Sequence, residues 1–263
     1  MRFDRLNNLT GWAIWVLATV VYFLTVEPTA SFWDCGEFIA SAYKLEVGHP
    51  PGAPFFMLLA RFLMIPMSPE SAALAANGLS VLSSSFTILF LFWSITHLAK
   101  RLTGEAQPEG GSALAVLGAG AVGALAYAFS DSFWFSAVEG EVYALSSLFT
   151  ALVFWAILKW ENVADQPGST KWVILIAYLM GLSIGVHLLN LLAIPAIALV
   201  YYYRNYEVTW KGLILTGAIA LVLLGFVQEA LIKGAVQLAG SFELFFVNDF
   251  GMPFNSGALV YLA

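Results

Sequence analysis

Two carboxylates, a histidine and a rigid turn follow the first long apolar segment of this chain. Asp34 and Glu37 are three residues apart, and His49 begins the run His-Pro-Pro-Gly that ends at Gly52. Residues three apart share one face of a helix, so the two carboxylates would lie side by side. A carboxylate beside a membrane can take a proton from a hydroxyl group, while a second one orients the substrate or holds a cation. The stretch therefore predicts an enzyme or transport site at a membrane surface.

The same spacing also has a purely structural interpretation. Asp34 is placed to cap the helix that follows, with Glu37 at the third helical position. The two prolines after His49 fix φ and Gly52 permits a tight turn. His49 is therefore either a polar turn residue or a group that binds an anion or orients Asp34. Spacing alone leaves capping and catalysis open, and the two are compatible.

Two later pairs of polar residues are weaker candidates for a pocket wall. Glu139 and Glu141 precede an apolar run, where a helix dipole would also favour hydrated acids. His187 and Asn190 lie at a predicted turn between two short apolar runs, where a buried, hydrogen-bonded histidine is the simpler explanation. Three histidines, with His97 on the opposite face, do not make a zinc site. Carboxylate coordination of a divalent cation is possible but no spacing demands it, so we expect no metal and no certain cofactor.

Composition places these residues in a membrane protein. The chain has 263 residues, of which 60% are hydrophobic and 11% are charged, whereas soluble domains carry roughly 25% charged residues. Several apolar runs approach the ~20 residues of a spanning helix. We therefore predict an all-α, polytopic transmembrane helical bundle in contact with the lipid bilayer. No basic cluster indicates nucleic acid, and the single cysteine, Cys35, excludes an intramolecular disulfide.

The apolar pattern predicts seven spans within one transmembrane domain covering residues 1–263. The predicted spans are Gly11–Val26, Ala72–Leu98, Ala113–Phe129, Val142–Trp160, Trp172–Val186, Leu188–Tyr203 and Leu213–Leu238. Trp172–Tyr203 is alternatively one kinked span. The chain stops in a fresh apolar run at Ala258–Ala263, from which we expect a C-terminal continuation in a longer protein.

The segment Phe55–Met67 is interpreted as a helix lying on the membrane in the first outer loop. About 13 residues cover only ~20 Å of a hydrocarbon layer about 30 Å thick. If the N-terminus is cytoplasmic and this segment does not span, only Lys44, Arg61 and Lys233 among the 11 basic residues lie outside, as the positive-inside rule requires. The acids and histidines of the candidate site then gather on the outer face.

The residues of the first outer loop carry a family resemblance. Asp34-Cys35-Gly36-Glu37-Phe38, followed by Gly48-His49-Pro50-Pro51-Gly52, resembles protein O-mannosyltransferase-like membrane proteins, a family with bacterial and animal members within the GT-C glycosyltransferases. The segment Glu139-x-Glu141-Val142-Tyr143 also looks like the family. The resemblance implies a GT-C-like N-terminal module, with an essential acid and two membrane-parallel helices in the first outer loop, and a site on the periplasmic face of a bacterial inner membrane.

The resemblance implies transfer of a sugar, plausibly mannose, from a polyprenyl-phosphate donor to a hydroxyl of an exported protein acceptor. Asp34 would deprotonate the hydroxyl, a role suited to a partly desolvated carboxylate. Glu37 would orient the acceptor or Asp34, and His49 would help position the donor phosphate. Family members usually continue through more helices into a soluble region. The rival hypotheses are a lipid or solute transporter, although no internal repeat is visible, and a non-catalytic membrane fragment.

Overall fold

The computed structural model describes residues 2–263, and these residues contain helices but no strand. The backbone groups into two compact units, Met1–Ala193 and Ile194–Ala263. The interpretation of residues 1–263 as one domain stays a prediction. Every candidate site residue lies in the first unit.

The described part of the first unit, residues 2–193, contains eight α-helices. They are α1 (Phe3–Leu24), α2 (Cys35–Lys44), α3 (Pro54–Met64), α4 (Ala72–Thr103), α5 (Gly110–Ala128), α6 (Asp131–Val138), α7 (Val142–Val163) and α8 (Thr170–Ile184). Short 3₁₀ turns cover Pro69–Ser71 and Leu188–Ala193. Prolines mark several starts, since Pro54 opens α3 and Pro69 opens the turn before α4, positions at which a missing N–H costs nothing.

Helix α4 is the centre of the first unit. It contacts α1, α5 and α7 extensively, and also α2, α3 and α6. Its buried face carries many small hydroxyl residues, which allow neighbouring helices to approach closely; those buried include Ser80, Ser83, Ser84, Ser85, Thr87, Ser94 and Thr96. The helix ends at Thr103, and Gly104 follows it as the C-cap with a φ of +70°.

The second unit is built around one long helical stretch. Its elements are α9 (Ile194–Asn205), α10 (Trp210–Gly225), a π-helical segment Phe226–Lys233, α11 (Gly234–Leu244), a second π-helical segment Phe245–Asp249 and α12 (Ser256–Leu262). The Glu243 carboxylate accepts hydrogen bonds from the backbone N–H groups of Asn255 and Ala258. It thereby satisfies free donors at the start of α12.

Within residues 2–263, five helical stretches are long and apolar enough to cross a membrane. They are Phe3–Leu24, Pro69–Thr103, Gly110–Ala128, Val142–Val163 and Trp210–Asp249. The prediction of a helical membrane bundle is therefore confirmed. The predicted spans Trp172–Val186 and Leu188–Tyr203 correspond to α8 and α9, with 15 and 12 residues on either side of a 3₁₀ turn. The count of seven spans stays a prediction.

A hydrogen bond and an ion pair mark the two ends of the first unit. At one end the Tyr22 hydroxyl donates to the Ala128 carbonyl, so α1 and α5 finish side by side. At the other end Lys100 lies 3.8 Å from Asp4, joining the end of α4 to the start of α1. The loops with Asp34, Glu141 and His187 open at the first end, whereas Lys100 and Lys159 lie at the second. The assignment of these ends to the two faces of a membrane stays a prediction.

Candidate functional site

The loop that carries Asp34 is fastened to the bundle by Asn77 of α4. The fully buried Asn77 amide donates to the carbonyls of Glu27 (2.6 Å) and Thr29 (3.0 Å). The Glu27 N–H in turn donates to the Val138 carbonyl at 3.0 Å. A Cβ on Gly140 would lie only 2.8 Å from Asn77 Oδ1. The loop thus enters α2 from a fixed position, since backbone and side-chain bonds hold it on both sides.

Asp34 occupies the N-cap position of α2 but does not act as a cap. Its side chain accepts no capping hydrogen bond from the helix backbone, so the capping-box interpretation of Asp34 and Glu37 is wrong. The Asp34 carboxylate instead lies 3.9 Å from His49 Nε2. The Asp34 side chain is 59% exposed, so the bilayer or a substrate must cover it before it becomes the desolvated base that we expected.

Two hydrogen bonds join Glu37 and His49. The His49 backbone N–H donates to Glu37 Oε1 at 2.6 Å, and the His49 ring Nδ1 lies 3.1 Å from Glu37 Oε2. The hydrogen bonds from His49 lower the pKa of Glu37, and the Glu37 carboxylate raises the pKa of His49. Because Gly52 has a φ of +77° and its N–H donates to the His49 carbonyl, the turn after His49 is closed. The imidazole is thus held between Glu37 and Asp34.

Asp34 and His49 share a cleft with residues from two later segments. The cleft has a volume of about 70 Å³. This volume suits the reacting groups of a ligand and is too small for a whole ligand. Glu141 and Tyr143 come from the start of α7, and His187 from the turn after α8. The Phe55 N–H donates to the Gly185 carbonyl at 2.7 Å, which holds the His187 turn against α3.

His187 has a defined hydrogen-bonding state. Its ring Nδ1 accepts the Leu189 backbone N–H at 3.1 Å, and burial lowers its pKa. A neutral imidazole that accepts at Nδ1 carries its proton on Nε2. His187 therefore offers one N–H donor, and its ring centroid lies 5.5 Å from that of Tyr143.

The two glutamates before α7 are placed differently. Glu141 lines the cleft, and burial together with the Asp34 carboxylate raises its pKa. Glu139 lies behind the cleft, with 3% of its surface exposed and Oε2 buried without a hydrogen-bond partner. Burial raises the pKa of Glu139 to about 7, although a hydrogen bond with Ser31 opposes the rise. Direct contact of Glu139 with a substrate in the cleft is not supported by this position.

Asn190 is also buried rather than open to the cleft. Its amide donates to the Ser183 hydroxyl at 2.8 Å, and its Oδ1 has no partner. The bond joins the end of α8 to the 3₁₀ turn and so fixes the backbone that presents His187. The structure thus brings Asp34, His49, Glu141 and His187 to one cleft, with Glu37 beside it, while Glu139 and Asn190 stand behind its walls.

Most of this chain matches the model of a known protein family. Residues 34–210 match the family model described as "Protein O-mannosyl-transferase TMEM260 N-terminal domain". This match covers more than half of the chain and begins at Asp34. The chain belongs to this family. The resemblance that the sequence suggested is thereby confirmed.

Two curated proteins are similar in sequence to this chain. A protein O-mannosyl-transferase tmem260 from Dictyostelium discoideum is 24% identical over 229 residues, covering 81% of this chain and 26% of the relative. The protein O-mannosyl-transferase TMEM260 of Mus musculus is 28% identical over 172 residues, covering 65% and 22%. The chain spans about a quarter of the length of these relatives. Both are eukaryotic, so the bacterial inner membrane and its periplasmic face stay predictions. No solved structure matches the chain.

Three side chains of the candidate site lie close enough together to hold a cation. Ligand atoms of Asp34, Glu37 and His49 lie within 4.8 Å of one another, and all three residues are exposed. Two carboxylates and an imidazole suit a divalent transition metal better than Ca²⁺. The Glu37–His49 hydrogen bonds satisfy the same atoms without an ion. The expectation of no metal stays a prediction.

Sequence reasoning missed two residues of the site. Asn77 positions the Asp34 loop, and Tyr143 forms part of the cleft wall. An asparagine within an apolar run that spans a membrane is a signal in its own right, because its amide must find partners there. Tyr143 gave no such signal, since aromatic residues are common at membrane interfaces.

Proposed function

We propose that this chain forms the catalytic membrane portion of a protein O-mannosyltransferase. It transfers mannose from a polyprenyl-phosphate donor to the hydroxyl of a serine or threonine in an exported protein. The family assignment supports the reaction class, because both curated relatives are named for it. The polyprenyl-phosphate donor and the GT-C-like arrangement are what the family resemblance implies, and a cleft at one end of a helical bundle is compatible with both.

The observation that carries the proposal is the cleft in which a carboxylate faces two imidazoles. Asp34 takes the proton from the acceptor hydroxyl, whose oxygen then attacks the anomeric carbon of the sugar. The bond between that carbon and the phosphate oxygen breaks, and the lipid phosphate leaves with the electron pair. Correctly positioned general-base catalysis contributes roughly 10²–10⁴-fold in rate.

His49 and His187 are the groups suited to the donor phosphate. The cleft is otherwise acidic, so an anionic donor needs a cation or an N–H donor there. Glu37 raises the pKa of His49 and so favours its charged form, while His187 supplies the N–H on Nε2. Glu37 therefore acts through His49 as a positioning residue, and Glu141 is placed to accept a hydrogen bond from the sugar.

The position of the cleft fits a donor that arrives in a bilayer. It opens at the end of the first unit, where α2 and α3 contact the ends of longer apolar helices. Phe32 and Trp33, next to Asp34, are 79% and 87% exposed, as is typical of residues at a membrane interface. We propose that the polyprenyl tail lies among the helices while the sugar enters the cleft from the extracytoplasmic side.

A sugar-transfer assay in membranes tests this proposal. The full chain is incubated with radiolabelled mannosyl-phosphate polyprenol and a serine- and threonine-rich acceptor peptide. We expect Asp34→Asn to lower the transfer rate by about 10²-fold or more. The matched control is Asp131→Asn, because Asp131 is an exposed acid outside the cleft.

Two results would reject the proposal. Equal transfer by wild type and Asp34→Asn removes Asp34 from the reaction. Movement of the lipid-linked sugar across the membrane without any mannosylated peptide instead identifies a transporter.

A further inference from the structure

A second cleft lies at the other end of the first unit, where α1 begins and α4 and α7 end. It has a volume of about 200 Å³. Its lining includes Asp4, Asn7, Trp93, His97, Lys100, Trp155 and Lys159. None of them contributes to the Asp34 cleft, which follows the opposite end of α1. The 22-residue helix α1 separates the two sites by about 33 Å, close to the thickness of a bilayer.

Polar atoms in this second cleft lack partners within the protein. Asn7 Oδ1, Trp93 Nε1 and His97 Nε2 are buried and make no hydrogen bond to described residues. Each belongs to a residue that lines the cleft. Because buried polar groups are nearly always hydrogen-bonded, these atoms indicate a bound polar molecule. The Asn7 oxygen can accept a hydrogen bond from a ligand hydroxyl, and the ring nitrogens of Trp93 and His97 can bind ligand oxygens. The three atoms together suit a ligand that has both hydroxyl groups and oxyanions.

The charges of the cleft favour an anion. The Asp4 carboxylate is already engaged by Arg2 (3.5 Å), by Lys100 (3.8 Å) and by the Gln107 amide (2.8 Å). Lys159 has no carboxylate within ion-pair distance among residues 2–263, and its ammonium lies 5.2 Å from the Trp155 ring centroid. The carboxylates within ion-pair distance therefore leave one cationic side chain of the cleft without a counter-charge, and that side chain is Lys159.

The surroundings of the cleft are those of a lipid. The outward face of α1 next to it is apolar, with Leu9, Trp12 and Val16 between 44% and 53% exposed. Leu9 and Trp12 also border a shallow hollow with Arg2 and Arg5. A hydrocarbon chain can lie along this face while its phosphate reaches the lysines, an arrangement typical of basic pockets for anionic headgroups.

We propose that this cleft binds the phosphate headgroup of an anionic phospholipid in the leaflet opposite the candidate active site. Lys100 and Lys159 contact the phosphate, and Asn7 and His97 bind the headgroup hydroxyls. Trp93 and Trp155 form the aromatic wall at the membrane interface. The site is independent of the proposed sugar transfer, because it shares no residue with the Asp34 cleft.

Native mass spectrometry of the full chain released from detergent tests the site. Phosphatidylglycerol and phosphatidylcholine of equal chain length are titrated separately, and glycerol 3-phosphate is the soluble competitor. A lysine near an anionic headgroup contributes about fivefold in affinity. We expect tighter binding of phosphatidylglycerol, and a loss of about 25-fold in Lys100→Gln/Lys159→Gln with phosphatidylcholine binding unchanged. Lys171→Gln is the matched control, since Lys171 begins α8 at the same end but lies outside the cleft.

The remaining outcomes each decide the question. Lys159→Gln alone should lose about fivefold, which keeps the test valid if the double variant does not fold. The proposal is overturned if the lysine variants bind phosphatidylglycerol as the Lys171→Gln control does, or if the two lipids bind equally. Displacement of the lipid by equimolar glycerol 3-phosphate also overturns it, because the ligand would then be a soluble phosphate.

Discussion

Glu139 makes the stability of this protein depend on pH in a direction opposite to that of most carboxylates. Its pKa is about 7 in the folded chain, against 4.5 for a glutamate free in water. Between these values the unfolded chain releases the proton while the folded chain retains it, so folding stability falls as pH rises from 4.5 towards 7 and stays low above 7. The penalty is about 1 kcal/mol at pH 5 and about 3 kcal/mol above pH 8.

Glu139→Gln removes this penalty because an amide does not ionise. The substitution preserves the shape of the side chain and can still accept the hydrogen bond from Ser31. We expect its stability relative to wild type to grow by about 2 kcal/mol between pH 5 and pH 9. At about 2–4 °C per kcal/mol for a protein of this size, the difference in melting temperature grows by about 4–8 °C.

A thermal unfolding series in detergent micelles at pH 5, 6, 7, 8 and 9 measures this effect. Glu46→Gln is the control, since the Glu46 side chain is exposed beside Lys44 and the substitution makes the same change of carboxylate to amide outside the core. If Glu139→Gln and wild type keep a constant difference in melting temperature across the series, Glu139 is ionised throughout and the argument from burial is refuted.

Two further substitutions test how the site is held. Asn77→Ala removes the two hydrogen bonds to the Asp34 loop and should cost about 2 kcal/mol of stability, seen as a lower melting temperature than that of Ser83→Ala, whose hydroxyl bonds only within its own helix. Glu37→Gln should move the His49 titration to lower pH in imidazole NMR while His187 titrates unchanged. The Glu37–His49 pair stabilises the fold fully from about pH 4.5 to 6.5, and loses strength as Glu37 protonates below or His49 deprotonates above. An unmoved His49 titration would contradict the ion pair.

The helical bundle could be predicted because apolar runs of spanning length leave few alternatives. The long helices α4 and α7 begin at Ala72 and Val142, the residues expected from the sequence. The short helix α3 was also expected, since prolines limit Pro54–Met64 on both sides. The span count could not be settled this way, because α8 and α9 are shorter than a bilayer and hydropathy does not show the 3₁₀ turn between them.

The candidate site could be predicted only in part. Proximity in sequence was enough to join Asp34, Glu37 and His49, because a helix and a closed turn bring them together. Glu139 and Glu141 lie in a non-helical segment before α7. Helical periodicity therefore does not predict which of the two side chains points into the cleft. Glu139 and Glu141 are therefore equivalent in the sequence, and only Glu141 lines the cleft. Similarly, the sequence offers a capping box at Asp34 and Glu37, but His49 engages the two carboxylates.

The central place of α4 has a consequence for changing the width of the Asp34 cleft. Helices α2 and α3 on one side of the Asp34 cleft and α7 on the other all rest on α4. A substitution that tilts α4 moves both sides together and keeps the spacing between them. Variants with a wider Asp34 cleft should therefore arise from changes in α7 or in the Leu188–Ala193 turn, which displace one side alone.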